Sequence, residues 1–394
     1  MLVLPGIVTV VRRPKEERTR MLPGSEEYTI GVEEEYQIVD PETRELLSRG
    51  ERVVELAQRS VGEEEVTAEL LESQVETVTP VCRTLADVRA EVLRLRRGVI
   101  EAAETEGNRI VAASTHPFSH WREQVVTPKE RYRVLVETYQ QLAREQLIFG
   151  FHIHVGLSDR EAAVRVLSRL RAWLAPMLAL SANSPYWLGA DSGYASYRTQ
   201  VWSRFPVSGP PGPFESRDEH DELVRALVET GTIDDATKVY WDARLPEKVE
   251  TVEVRVMDVC SCVDEAVMMA GLTRALVRAC HKHSEREIPY PKPRPELLRA
   301  AHWRASRHGL DERLIDVEAR RAVPAREMIE KMLLFARPAL EEAGDLEEVS
   351  ELVYETLKHG NGATRQRRIF GRAGRLEDVV DVLIEETARG ASPA

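Results

Sequence analysis

Apolar and polar side chains alternate with period two in several stretches of this chain, and alternation of that period marks a strand with one buried face. The first runs from Tyr28 to Val39, between Pro23-Gly24 and Asp40-Pro41. Tyr28, Ile30, Val32, Tyr36 and Ile38 fall on one face, and Gly31, Glu33, Glu35 and Gln37 on the other. Glu34 falls on the apolar face and reads as an edge or salt-bridge residue without a role in the chemistry. Val66 to Thr79 reads as a second extended stretch ending at Pro80, with Glu72, Gln74 and Glu76 on one face. Arg109 to Ser114 is a short strand. In Leu147 to Leu157, Phe149, Phe151, Ile153 and Val155 oppose Gly150, His152, His154 and Gly156. In Val249 to Asp258, Val252, Val254 and Val256 oppose Thr251, Glu253, Arg255 and Met257.

Elsewhere the period lengthens to that of a helix. Leu85, Val88, Val92, Leu95, Val99 and Ala102 recur at three and four residues, after Thr84 as N-cap with Asp87 at the capping-box position. Arg160 to Leu180 carries Val164, Leu167, Leu170, Leu174 and Leu178 on one face. A helix capped by Asp264 buries Val267, Met268, Gly271, Leu272, Ala275 and Leu276. The proline-rich run Pro289 to Pro295 is a rigid connector, and the chain beyond it reads as helical over 295–306, 325–343, 345–358 and 375–389. Asn183 to Gly212, rich in Gly, Pro, Ser and aromatics, is a loop long enough to be functional. The pattern predicts an α+β fold: a mostly antiparallel sheet flanked by helices, with a helical C-terminal third. A single catalytic domain is expected over 28–394, helical from about residue 296, after an arm at 1–27.

Composition narrows the choice of partners. The net charge is −12, with 54 Lys+Arg against 66 Asp+Glu, which disfavours a nucleic-acid partner. No segment approaches 18 apolar residues, so no membrane span is expected. The apolar run Met1 to Val11 precedes its charges, Arg12-Arg13-Pro14-Lys15, the reverse of a secretory signal. Either this arm is disordered or loosely docked, or the chain starts at Met21; a cytoplasmic location is expected in both cases. Four cysteines form no disulfide framework and read as reduced core thiols.

The polar faces of the strands carry the candidate chemistry. Glu33 and Glu35 stand about 7 Å apart on a strand whose other face is buried. Either they border solvent or a cation compensates their burial. His152 and His154, flanked by glycines, are core histidines or mark a close ligand approach. Glu253 and Arg255 are a plain ion pair, or the acid binds a cation while the Arg holds an anion. A carboxylate-lined sheet with an Arg suits Mg²⁺ and phosphates. Arg198 and Arg204 in the long loop suit carboxylate or phosphate capture, or decorate the surface. Gly360 to Arg368 reads as a basic loop between helices, a phosphate contact or a solvated charge run.

Several of these stretches together resemble a known family. Ile30-Gly31-Val32-Glu33-Glu34-Glu35-Tyr36 resembles the opening strand of the type 2 glutamate–cysteine ligases, or carboxylate–amine ligases. Val75-Glu76-Thr77-Val78-Thr79-Pro80, Ser114-Thr115-His116-Pro117 and Gly150-Phe151-His152-Ile153-His154-Val155-Gly156 continue the likeness. So do Ser181 to Pro185, Tyr197-Arg198-Thr199-Gln200, Ser203-Arg204-Phe205-Pro206, Glu253 to Asp258 and Trp303 to Gly309, in order, from about Tyr28 to Arg389.

The resemblance implies a core related to glutamine synthetase, with a curved antiparallel sheet holding ATP and Mg²⁺, or Mn²⁺ in its place. It implies Glu33, Glu35, Glu76, His152 and Glu253 as metal ligands and Arg255 at the transferring phosphoryl group. Arg198 and Arg204 would hold substrate carboxylate or phosphate, and Arg304 and Arg365 would join Arg255 at the nucleotide. The implied reaction converts a carboxylate to an acyl phosphate with release of ADP, and an amine then displaces phosphate; glutamate and cysteine are the leading pair. Small molecules are thus the expected partners, and a homodimer is compatible with a chain of this size. Two alternatives remain open on the sequence: a metal-dependent hydrolase, and a non-catalytic nucleotide-binding relative.

Overall fold

The structure, a computed structural model, describes residues 27–391. The arm expected at 1–27, apart from Glu27, and the alternative start at Met21 lie outside them. A seven-stranded sheet forms the centre: β1 (Ile30–Val39), β2 (Val66–Ala68), β3 (Gln74–Val78), β4 (Arg109–Val111), β5 (Gly150–Gly156), β6 (Ala243–Arg244) and β7 (Thr251–Asp258). The strand order is β6-β7-β5-β1-β3-β2, with β4 also on β1, and each of these pairings is antiparallel.

The apolar face of this sheet is the core. Ile30, Val32, Tyr36, Ile38, Phe151, Ile153, Val155, Val252 and Val254 are all buried. Helices α1 (Gly50–Val61), α2 (Leu85–Thr105), α3 (Glu130–Tyr139) and α4 (Arg160–Ser181) follow in order. The short α5 (Tyr197–Trp202), then α6 (Arg217–Glu229) and α7 (Val263–Glu285), complete the first two-thirds. α2 and α7 pack on β1, and α4 packs on both α7 and β7. Thr84 caps α2 in a full capping box with Asp87, as the spacing predicts.

The last third holds α8 (Pro295–His308), α9 (Ala325–Ala343), α10 (Leu346–His359), α11 (Gly362–Ala373) and α12 (Leu376–Ala388). It is helical apart from one hairpin, Arg313–Asp316 with Arg321–Pro324, which the sequence reading does not anticipate.

Other differences have local reasons. The stretch from Val66 to Thr79 is a hairpin, not one strand, so Glu72 sits in its turn. Asp264 lies in the first turn of α7 rather than at the cap, which is Cys262, and its carboxylate pairs with Arg89. The run Gly360 to Arg368 is mostly helix α11, capped by the Asn361 side chain on the Thr364 amide. Helices α3 and α6, not anticipated from the sequence, fully bury only Tyr132 and His220 respectively and pack on the core through partly buried residues such as Leu135, Val224 and Leu227. The thiols are free, and three are buried; Cys262 is only half-buried.

Candidate functional site

Antiparallel register assembles the polar face of the sheet. Glu33 on β1 stands opposite His152 on β5 and Glu35 opposite Glu76 on β3, while His154 stands opposite Glu253 on β7. Each strand contributes one or two polar groups; Glu33, Glu35, Glu76 and His152 line a cleft of about 670 Å³, while His154 and Glu253 pack beside them outside its lining.

Glu33 organises the histidines. His152 Nδ1 donates to its Oε2 at 2.8 Å, and His154 Nε2 donates to its Oε1 at 3.0 Å. His154 is tied on its other side to Thr251 Oγ1 at 2.9 Å. Burial would raise the Glu33 carboxyl, but the two histidine hydrogen bonds outweigh it and hold it well below the usual range. Burial and the charge of Arg255 push His152 down to about 4. A neutral His152 that donates from Nδ1 keeps its Nε2 lone pair for a metal.

The acids beside it are held differently. Glu35 Oε2 accepts the Gly150 amide at 2.6 Å, and Glu76 Oε2 accepts Thr67 Oγ1 at 3.0 Å. Burial, then the charge of Glu69, pushes Glu35 up to about 7, and burial with Glu69, Glu33 and Glu35 also raises Glu76 well above the usual carboxylate range. Crowded carboxylates of this kind call for a cation. Two groups bring their ligand atoms within 4.8 Å of one another: Glu33, His152 and Glu253, and Glu35, Glu76 and His152. These are mostly oxygen donors, which fit Mg²⁺ or Mn²⁺.

Glu253 has a second set of partners. Arg244 Nε and Nη2 lie 2.6 and 3.2 Å from its two oxygens, and Arg255 Nη1 also contacts it. Burial opposes ionisation, but the two guanidiniums outweigh it and leave Glu253 at about 2. Both alternatives read from the sequence meet here, since Glu253 is an ion-pair residue and also belongs to a potential metal group.

Arg198 and Arg255 line the same cleft and are buried. The Nε of each has no hydrogen-bond acceptor among the described residues. Arg198 forms no ion pair there; its Nη2 donates only to the Arg255 carbonyl, at 3.3 Å. Two buried guanidiniums with spare donors, beside an acidic cluster, suit an anion that also carries a cation.

Asp258 fastens the loop that supplies Arg198. Its carboxylate accepts the Asn183 amide at 2.7 Å, Ser184 Oγ at 2.7 Å and Ser196 Oγ at 2.8 Å, and Ser196 caps α5. Of the two glycines flanking the histidines, Gly150 answers to the packing of the site. A Cβ on Gly150 would meet His152 Nε2 at 2.9 Å and Arg198 Nη2 at 3.1 Å, so the close approach there is by the site's own side chains.

Three expected contacts are elsewhere. Arg204 pairs with Glu145 and does not line the cleft. Arg304 donates to the Arg313 carbonyl at 2.6 Å, bracing α8 against the hairpin. Arg365 ties α11 to α7 and α12 through Glu265, Glu386 and Ser261. Arg304 and Arg365 thus lie outside the lining of this cleft.

Conversely, Arg244, Glu69 and Tyr240 line the cleft without having been singled out. For Arg244 and Tyr240 a signal exists: Val239, Trp241, Ala243 and Leu245 are buried at period two, which puts Tyr240 and Arg244 on the other side. Glu69 lies in the turn between β2 and β3 and has no such signal.

Comparison with known proteins agrees with this architecture. Residues 29–385 match the family described as Glutamate-cysteine ligase family 2. A relative from Rhodopirellula baltica, "Putative glutamate--cysteine ligase 2", is 39% identical over 367 residues, covering 92% of this chain and 98% of its own. One from Frankia alni, "Putative glutamate--cysteine ligase 2-2", is 41% identical over 378 residues, covering 93% and 98%. The fold is shared with a Francisella tularensis glutamate–cysteine ligase solved in complex with AMP, at TM-score 0.70 and 11% identity, covering 93% of this chain and 90% of that one. It is shared also with a bifunctional glutathione synthetase from Pasteurella multocida, at TM-score 0.68 and 17% identity, covering 92% and 52%. The chain is a carbon–nitrogen ligase and belongs to the glutamate-cysteine ligase family 2.

Proposed function

We propose that this ligase couples ATP cleavage to amide formation through an acyl phosphate, with glutamate as the acid and cysteine as the amine. The observation that carries the reading is the pairing of opposites in one cleft: Glu33, Glu35, Glu76 and His152 beside Arg198 and Arg255, whose Nε donors have no partner among the described residues. A carboxylate and a triphosphate repel each other, so a site that joins them needs cations on both sides. The acids and His152 would hold Mg²⁺ or Mn²⁺, which when bound neutralises phosphate charge. Arg255 would stabilise phosphoryl oxygens, and Arg198 would hold a carboxylate beside it. Glu33, kept ionised by His152 and His154, orients both imidazoles. The AMP bound to the Francisella enzyme supports a nucleotide as ligand of this fold. A hydrolase reading leaves Arg198 and Arg255 without a task.

The test uses glutamate labelled with ¹⁸O in its side-chain carboxylate, with cysteine, ATP and Mg²⁺. An acyl phosphate transfers one labelled oxygen to inorganic phosphate and releases ADP. Formation of AMP and pyrophosphate, or of amide product with unlabelled phosphate, would overturn the route. Product mass across a panel of amino-acid pairs tests the choice of glutamate and cysteine separately.

A further inference from the structure

A second cavity, of about 390 Å³, lies behind the ligase cleft between α5, α8 and the loop Ser208 to Gly212. Trp202 lines both cavities, so the two share a wall. Arg171, from the middle of α4, lines the second cavity and is only 2% exposed. Its Nε and Nη1 are buried with no acceptor, and its guanidinium makes no hydrogen bond or ion pair with any described residue.

That is an expensive arrangement. A buried charge without a partner is strongly destabilising. Other buried arginines are compensated, Arg96 by Glu34 and Arg274 by Asp345, while Arg198, which has no ion-pair partner among the described residues, lines the ligase cleft. The carboxylate in the second cavity, Asp242, faces His302 at 3.4 Å instead of Arg171. Among the described residues no carboxylate answers Arg171, so a bound anion is the natural counter-charge.

We infer that Arg171 is the anchor of a second ligand site, which takes a small oxyanion, a carboxylate or a phosphate, in the cavity behind Trp202. The site is independent of the reaction assigned to the first cleft. It is placed to affect that cleft, because α5 carries Arg198 toward the first cavity and Thr199, Gln200 and Trp202 toward the second. Trp202 also lies under the Arg255 guanidinium, 5.7 Å from the ring centroid.

Calorimetric titration of the full chain with acetate, succinate and inorganic phosphate, at constant ionic strength in chloride, tests the site. Wild type should bind at least one of these saturably. Phosphate alone or carboxylates alone then identifies the anion class. Arg171→Met should weaken binding at least about tenfold, the loss of one or two charge-assisted hydrogen bonds, while Arg198→Met leaves it intact. Should Arg171→Met fail to fold, Arg171→Lys keeps the charge without the planar fork and should still weaken binding. Absence of saturable binding in wild type overturns the inference. So does binding that survives the Arg171 substitutions and is lost in Arg198→Met, which would put the anion in the first cleft.

Discussion

Glu34 and Arg96 are locked together inside the protein, Oε1 to Nη2 at 2.5 Å and Oε2 to Nε at 3.0 Å, with side chains 2% and 0% exposed. Tyr36 Oη also donates to Glu34 Oε2 at 2.5 Å, and Arg96 reaches on to the carbonyls of Cys260 and Ser261. The pair joins β1 to α2 and to the segment after β7. Glu34 is therefore a salt-bridge residue, but on an interior strand and not at an edge.

This changes what Glu34→Gln should do. Position on the apolar face alone predicts a near-neutral substitution; the buried pair predicts a loss of about 3–5 kcal/mol, because Arg96 is left charged and half-satisfied. Urea unfolding measures it. The paired replacement Glu34→Met with Arg96→Met should recover most of the loss, since it buries no orphan charge. Turnover per folded molecule should stay near wild type, which separates this pair from the acids of the cleft.

The cleft acids should behave in the opposite way. Glu33→Gln, Glu35→Gln and Glu76→Gln should each cut turnover by at least about tenfold and raise the Mg²⁺ needed for half-maximal rate. Metal titrations of initial rate check this. Glu253→Gln should lose stability as well as rate, because Arg244 and Arg255 both lose their shared carboxylate. An unchanged Mg²⁺ requirement in all four variants would remove these residues from the metal site.

Arg255 and Arg204 give a direct contrast. Arg255→Lys keeps the charge and loses the planar fork, so kcat should fall more than KM for ATP rises. Arg204→Ala removes a part-exposed partner of Glu145 outside the cleft and should change kcat/KM by no more than about twofold. Steady-state kinetics on both variants checks this contrast; equal losses in the two would remove Arg255 from the phosphoryl position.

Acid stability should depend on His116. Its ring is buried, Nε2 donates to the Arg44 carbonyl at 2.8 Å, and Nδ1 accepts the Ser119 amide at 2.9 Å. Burial pushes it down to about 3 from 6.5. The folded state thus binds fewer protons than the unfolded one between those values. Stability is retained above pH 6.5 and falls as pH drops toward 3, at about 1.4 kcal/mol per unit from this group. Urea midpoints at pH 7.0 and 5.0 should show His116→Asn to be weaker at pH 7.0 but flatter toward acid than wild type.

The sequence by itself determined the strands β1, β5 and β7, because each needs one face in the core and period two records that requirement residue by residue. It likewise determined α2, α4 and α7, whose apolar stripes pack on that sheet. The same alternation put Glu33, Glu35, His152, Glu253 and Arg255 on polar faces before any pairing was known. Register was not legible. That Glu33 meets His152 and Glu35 meets Glu76 depends on how separate strands align, and local spacing carries no such information. Nor does spacing separate one arginine from another. Arg198, Arg204 and Arg304 stand in family-like motifs and Arg365 in a basic run, yet only Arg198 reaches the cleft, while Glu145, the Arg313 carbonyl and Glu265 claim the other three. A charge takes its role from the counter-charge that folding brings within a few ångströms of it, and that is decided only when distant segments meet.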